Sequence, residues 1–124
     1  MVLSETLASA ASANLPAEHV APNQGKLLSI LARAVHAKSI LEIGTLAGYS
    51  TIWLARALPP DGRLVTLEAN PVNAEVARRN VSRAGFGSVV DIRVAPALLL
   101  DCLVCSNGYS YPSGHVDFPT EPKR

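Results

Sequence analysis

An α/β fold built on a parallel, doubly wound sheet is predicted by three features of this 124-residue sequence. Helical and strand-like segments alternate as far as Val94. The strand-like segments are short Ile-, Leu- and Val-rich runs, the pattern of strands covered on both faces. The first of them stops at a glycine, turns on small residues and restarts at once as a helix. With 124 residues, one domain and one modest core are expected.

The opening "MVLSETLASAASANLP" reads as a weakly amphipathic helix, since serines interrupt its small apolar run. Glu5 stands where a secretory leader would carry Lys or Arg. In "PNQGKLLSILARAV" the apolar residues Leu27, Leu28, Leu31, Ala34 and Val35 form a helical stripe, with Asn23 as the expected cap. "KSILEI" follows as a strand ending at Gly44. "STIWLARAL" is a helix that Ser50 is expected to cap, with Ile52, Trp53 and Leu58 inward, broken by "PPDG". "RLVTLE", Arg63 to Glu68, is the second strand. "NPVNAEVARRNVSRAG" is the best-marked helix, with Asn70 as cap, Pro71 in the first turn and Gly85 as stop. "SVVDIRV", Ser88 to Val94, is the third strand. Helix–strand alternation of this kind implies right-handed crossovers between parallel strands.

Composition excludes several functions. The formal charge is +1, and no basic stripe interleaved with aromatics is present to follow a phosphate backbone, so no nucleic-acid partner is expected. The longest strongly apolar run, Val94 to Leu100, is too short to span a bilayer, so no membrane partner is expected and the chain is placed in the cytoplasm. Cys102 and Cys105 form "CLVC", a spacing used by redox couples and half zinc sites; without a second ligand pair or a helix start beside it, the pair reads as free thiols. His19 and His36 are given no chemistry.

The bend Gly44–Thr45–Leu46–Ala47–Gly48 lies where open parallel sheets bind ligands, at the carboxyl end of the first strand. Gly44 lets the chain leave the strand, Gly48 is read as allowing close backbone approach to a ligand, and the following helix start favours an anionic group. The bend is not the dinucleotide G-x-G-x-x-G, because Leu46 occupies the second glycine's place, and no Gly-Lys-Ser/Thr is present for a triphosphate. Glu42, two residues before the bend, would repel phosphate and suit a cationic group. Glu68 closes the second strand, where an acid accepts hydrogen bonds from ribose hydroxyls. A ligand with a ribose, a positive centre and no phosphate satisfies all of these, and S-adenosylmethionine is such a molecule. A nicotinamide dinucleotide is disfavoured by Leu46 and Glu42.

The segment "VAPNQGKLLSILARAVHAKSILEIGTLAGYSTIWLARALPPDGRLVTLEANPVNAEVARRN" resembles the N-terminal half of the small-molecule O-methyltransferases related to catechol and caffeoyl-CoA O-methyltransferases; "LEIGT-x-x-GYST" followed by "GRLVTLE" carries the likeness. The resemblance implies a Rossmann-like class I S-adenosylmethionine-dependent methyltransferase fold over residues 1–97. It implies that Glu42, Gly44, Gly48, Tyr49 and Ser50 line the methionine end of the cofactor and that Glu68 holds the ribose. It also implies that Val20 contacts the cofactor from the lid side and that Ala97 lies beside the adenine. The substrate implied is a small phenol- or catechol-like hydroxyl compound, and a homodimer is possible within the family.

The same resemblance implies a divalent ion, magnesium, held by acids after a fourth strand of the type F-D-x-x-F-I-D-A-D. That strand is missing here; "LDCLVCSNG" puts Ser106 where the first metal carboxylate should stand, so no metal ligand and no catalytic residue is assigned. Five residues between Val94 and Leu100 are too few for the crossover that a parallel strand needs. The fold is therefore expected to be truncated after its third parallel strand, with residues 98–124 an irregular, disordered tail. The flank of "KSILEI" should be left open, and methyl transfer by this chain should be impaired. The alternative from another class is a non-catalytic module that binds the cofactor or a partner chain through that edge.

Overall fold

A computed structural model of the chain describes residues 2–95. Ala97, Cys102, Cys105, Ser106, the boundary at residue 97 and the tail 98–124 lie outside the described residues. Four helices and three strands run in the order α1 (Val2–Ser12), α2 (Pro22–Ala34), β1 (Ser39–Ile43), α3 (Tyr49–Ala55), β2 (Arg63–Glu68), α4 (Pro71–Arg83), β3 (Val90–Val94). The strands form one parallel sheet in the order β1-β2-β3, with Glu42 beside Thr66 and Glu68 beside Val94. Parallel neighbours in register point to one face, so Ile40, Glu42, Leu64, Thr66 and Glu68 share a face and Leu41, Ile43, Val65 and Leu67 the other. Both crossovers step the same way across the sheet, and right-handedness puts α3 and α4 on the same side. That side is the Glu42 face, because Glu42 is hydrogen-bonded to Ser50 and Thr51 of α3.

β2 is the central strand: Leu64, Thr66, Leu67 and Glu68 are all buried. α1 closes the helical layer from outside, where Ala10 meets Ala47 and Val76, with Ala13 and Leu15 alongside.

α4 has the predicted ends. The Asn70 side chain accepts from Val72 N–H at 2.9 Å, Pro71 fills the first turn, and Gly85 takes φ +85 beyond the last turn. The other two expected caps are corrected. Pro22 fixes its own φ and starts α2, so Ala21 holds the cap position and Asn23 lies too far inside to serve; the Ala21 N–H is bonded instead by the Gln24 side chain at 2.8 Å. α3 begins at Tyr49, with Gly48 at the cap in the left-handed region at φ +84, which places Ser50 within the first turn and frees its hydroxyl for Glu42.

Burial differs from what the sequence pattern suggests in three places. Of the stripe, Leu27, Leu31, Ala34 and Val35 are exposed and Leu28 is half-buried; α2 buries Gly25, Ser29 and Ala32 instead. A Cβ on Gly25 would come within 2.3 Å of the Trp53 ring, so the helices approach through a backbone surface that only glycine allows there. In α3 the buried residues are Tyr49, Thr51, Ile52 and Ala55, while Trp53 and, beyond the helix end, Leu58 are partly exposed. β1, finally, is covered on one face only: Leu41 is 51 % and Ile43 59 % exposed. Among the described residues β1 is an edge strand, and nothing described packs on its outer margin.

Candidate functional site

The bend after β1 sits between the carboxyl ends of β1 and β2, and two carboxylates fix it. Gly44 N–H still donates to Leu67 C=O at 2.8 Å, after which the chain turns at φ +88 and leaves the sheet. Leu46 takes φ +49, a left-handed conformation that strains a residue with a Cβ by about 1–2 kcal/mol. Its N–H donates to Glu68 Oε2 at 2.8 Å, and Thr45 N–H donates to the same oxygen at 3.2 Å. Glu68 Oε1 accepts from Asn70 N–H at 2.9 Å and from Asn73 Nδ2 at 3.4 Å. The buried Glu68 carboxylate thus aims at the bend and ties it to the start of α4. A charge so placed is tolerated because each oxygen receives two donors.

Glu42 occupies the other side of the bend. Its Oε1 accepts from Ser50 Oγ at 2.6 Å; its Oε2 accepts from Thr51 Oγ1 at 2.5 Å and Thr66 Oγ1 at 2.8 Å. Thr66 Oγ1 also lies 2.6 Å from Thr45 Oγ1. β1, α3, β2 and the bend are therefore closed into one hydroxyl–carboxylate cluster in which Thr45, Thr51 and Thr66 are buried. Sequence reasoning passed over these three threonines and Asn73. Thr66 could have been found by strand period alone, since it lies two residues from Glu68 and so on its face.

The two bend glycines have different roles. A Cβ on Gly44 would meet nothing within 4 Å, so the space beside it is open to a ligand. A Cβ on Gly48 would lie 3.3 Å from Val81 Cγ2 and 3.5 Å from Ala77 Cβ. The close approach read at Gly48 is thus made to α4, where Asn80 Nδ2 also donates to Ala47 C=O at 2.9 Å. Tyr49 is buried with its ring 6.0 Å from that of His19, which brings the segment holding Val20 to the first turn of α3. Glu42, Gly44, Gly48, Tyr49, Ser50 and Glu68 are hence gathered at one end of the sheet, with Val20's segment beside them, and Ala97 lies outside the described residues.

Among the described residues there is no group of three His, Cys, Asp or Glu side chains that could hold a metal ion. No helix among them is long and apolar enough to cross a membrane. A cleft of about 450 Å³ lined by Arg33, His36, Lys38, Arg56 and Leu58 lies at the amino end of β1, away from the bend. Its cations are engaged locally: Arg33 donates to Arg56 C=O at 3.1 Å, and Lys38 pairs with Asp61 at 2.9 Å.

A parallel sheet whose first strand ends in an open, glycine-started bend, facing a buried acid at the end of the second, is a Rossmann-like ligand-binding architecture. Known proteins narrow the class. A family model described as O-methyltransferase matches residues 1–117. The catechol O-methyltransferase of Niastella koreensis is 59% identical over 90 residues, which are 73% of this chain and 41% of that protein. The catechol O-methyltransferase of Mycobacterium tuberculosis is 53% identical over 96 residues, 77% of this chain and 44% of that one. The crystal structure of a Bacillus cereus O-methyltransferase in complex with S-adenosylhomocysteine superposes with a TM-score of 0.80 at 49% identity, covering 89% of this chain and 49% of its own. That of TomG from Streptomyces achromogenes, in complex with S-adenosylmethionine, gives 0.78 at 48% identity, covering 82% and 46%. The chain belongs to the O-methyltransferase family, and it spans less than half the length of these relatives.

Proposed function

We propose that this chain is the cofactor-binding half of an S-adenosylmethionine-dependent O-methyltransferase. The observation that carries the reading is the buried Glu68 carboxylate turned toward the bend, with open space at Gly44 beside it. Glu68 would receive the ribose hydroxyls; Asn73, its longest hydrogen bond at 3.4 Å, is the donor that a hydroxyl most readily replaces. Glu42 Oε1 has one described donor, Ser50, and retains room for a cationic group such as the cofactor's ammonium. Gly44, Gly48, Tyr49 and Ser50 shape the methionine end, Val20 closes it from the lid side, and Ala97 is assigned to the adenine. When bound, the cofactor supplies a sulfonium methyl that passes to a hydroxyl oxygen by in-line displacement. What this chain's residues do is hold and orient it.

The substrate class we infer is a small phenol- or catechol-like hydroxyl compound, supported by the names of the two curated relatives. Magnesium belongs to the resemblance. The acids that the resemblance gives it follow a fourth strand and are not Glu42 or Glu68, so no step is assigned to a metal.

Isothermal titration with S-adenosylhomocysteine tests the reading. The chain is expected to bind it, and Glu68→Gln, which keeps the shape but removes the charge, is expected to weaken binding about tenfold or more, the 1.5–3 kcal/mol range of a hydrogen bond to a charged group. Equal binding by both, with equal melting temperatures, contradicts it, as does a preference for NAD.

A further inference from the structure

A cleft of about 610 Å³, the size of a small-molecule site, opens between α1 and α4. Ser9 and Ser12, three apart on α1, form one wall, and Arg79 and Arg83, four apart on α4, the other, so each pair shares a helix face. No acidic residue among the described ones lines it. The chain's own contacts leave these donors uncommitted. Among the described residues the Arg79 guanidinium has no hydrogen bond or ion pair, and the Ser9 and Ser12 hydroxyls have no hydrogen-bond partner. Arg83 donates to Asn80 Oδ1 and lies 3.8 Å from Glu5, a half-exposed ion pair that contributes little. Cations near the carboxyl end of a helix often serve its last carbonyls, but α1 closes its own end: the N–H groups of Ala13, Asn14 and Leu15 donate to the carbonyls of Ser9, Ala11 and Ala10. The arginines are therefore not needed there as caps. The floor between the walls is fixed, because buried Asn80 is held by Arg83 on one side and by the Ala47 carbonyl of the bend on the other.

We propose that this cleft binds a phosphate monoester of a small organic molecule, at a site separate from the cofactor bend. A guanidinium fork matches the spacing of phosphate oxygens, and serine hydroxyls donate to the oxygens that remain. A phosphate dianion also displaces Glu5 from Arg83, since it meets Arg79 at the same time, which the Glu5 carboxylate does not. The rest of the cleft selects an ester over the bare ion. Inorganic phosphate would fill little of the volume and leave the apolar part of the lining, Ala13 and Val76, against water, whereas the organic group of an ester covers it. The bend does not compete for such a ligand, because the Glu42 and Glu68 carboxylates stand on both sides of it and repel phosphate.

The test is titration of the 124-residue chain with phenyl phosphate, inorganic phosphate and phenol, followed by calorimetry and by ¹⁵N amide shifts. No S-adenosyl compound is present, so the outcome is independent of the cofactor reading. Phenyl phosphate is expected to bind saturably and one-to-one, with the largest shifts at Ser9, Ser12, Arg79 and Asn80; inorganic phosphate should bind there more weakly, and phenol should not bind. Arg79→Gln should weaken phenyl phosphate about tenfold, the loss of a hydrogen bond to a charged group. Its circular dichroism and melting temperature should stay unchanged, because the Arg79 guanidinium has no partner among the described residues to lose. Lys26→Gln removes the same charge from an exposed position on α2 outside the cleft and should leave the affinity as it was. Four results would each overturn the proposal: no saturable binding, equal affinity for the ester and the inorganic ion, equal losses in the two variants, or shifts centred on Gly44–Leu46 or on the Arg33–Arg56 cleft.

Discussion

Thr66 is the residue on which the site's internal order turns. Its hydroxyl touches both Glu42 and Thr45, so replacing it with the near-isosteric Val leaves buried Thr45 and half-buried Glu42 each short of a hydrogen bond, at a cost of about 1–3 kcal/mol. Thr66→Ser keeps the hydroxyl and should recover most of that loss; chemical denaturation of the two variants compares them directly. The bend glycines make a second contrast. Ala at Gly44 meets open space and should cost only the left-handed backbone penalty of about 1 kcal/mol, but should weaken S-adenosylhomocysteine, because its methyl group enters the space assigned to the ligand. Ala at Gly48 carries the same backbone penalty and also presses on Val81 and Ala77, so it should destabilise the chain more than Gly44→Ala does. Melting curves and titration separate the two.

At the scale of elements, α4 and α2 show what local sequence can and cannot specify. The ends of α4 and both limits of β2 were legible, because Asn-Pro, Gly85 and the Gly62 break are local signals with a single backbone meaning. Asn70→Ala should therefore cost about 1 kcal/mol in thermal or chemical unfolding. The orientation of α2 was not legible. Periodicity finds an apolar stripe but does not say what meets it, and here the neighbour α3 takes the small-residue face, Gly25, Ser29 and Ala32. Gly25→Ala should accordingly part α2 from α3: its methyl group falls on the Trp53 ring, which cannot yield without moving a packed helix, and a loss of about 1–3 kcal/mol is expected by denaturation. The site was half legible for a related reason. Glu42, Gly44 and Glu68 lie at strand ends where topology alone assigns a ligand, whereas the Thr45, Thr51 and Thr66 hydroxyls acquire their meaning only when β1, β2 and α3 come together. Ser50, expected as the cap of α3, serves Glu42 and not the helix end, while its place beside the cofactor is what the resemblance implies.

For the whole molecule, the sheet has one charged margin and one apolar margin, and its helices occupy the face on which both site acids lie. The bend is thus held by contacts from β1, β2, α4 and α1, while the exposed apolar side chains of α2 and β1 take no part in it. Cofactor binding should on this account survive in the chain by itself. Mapping of ¹⁵N amide shifts on the 124-residue chain during titration with S-adenosylhomocysteine examines this most directly. The account expects the largest changes at Gly44, Thr45, Leu46 and Asn70, with no comparable response to NAD. Shifts centred on the Arg33–Arg56 cleft, or a bend that ignores S-adenosylhomocysteine while the chain stays folded, would contradict it.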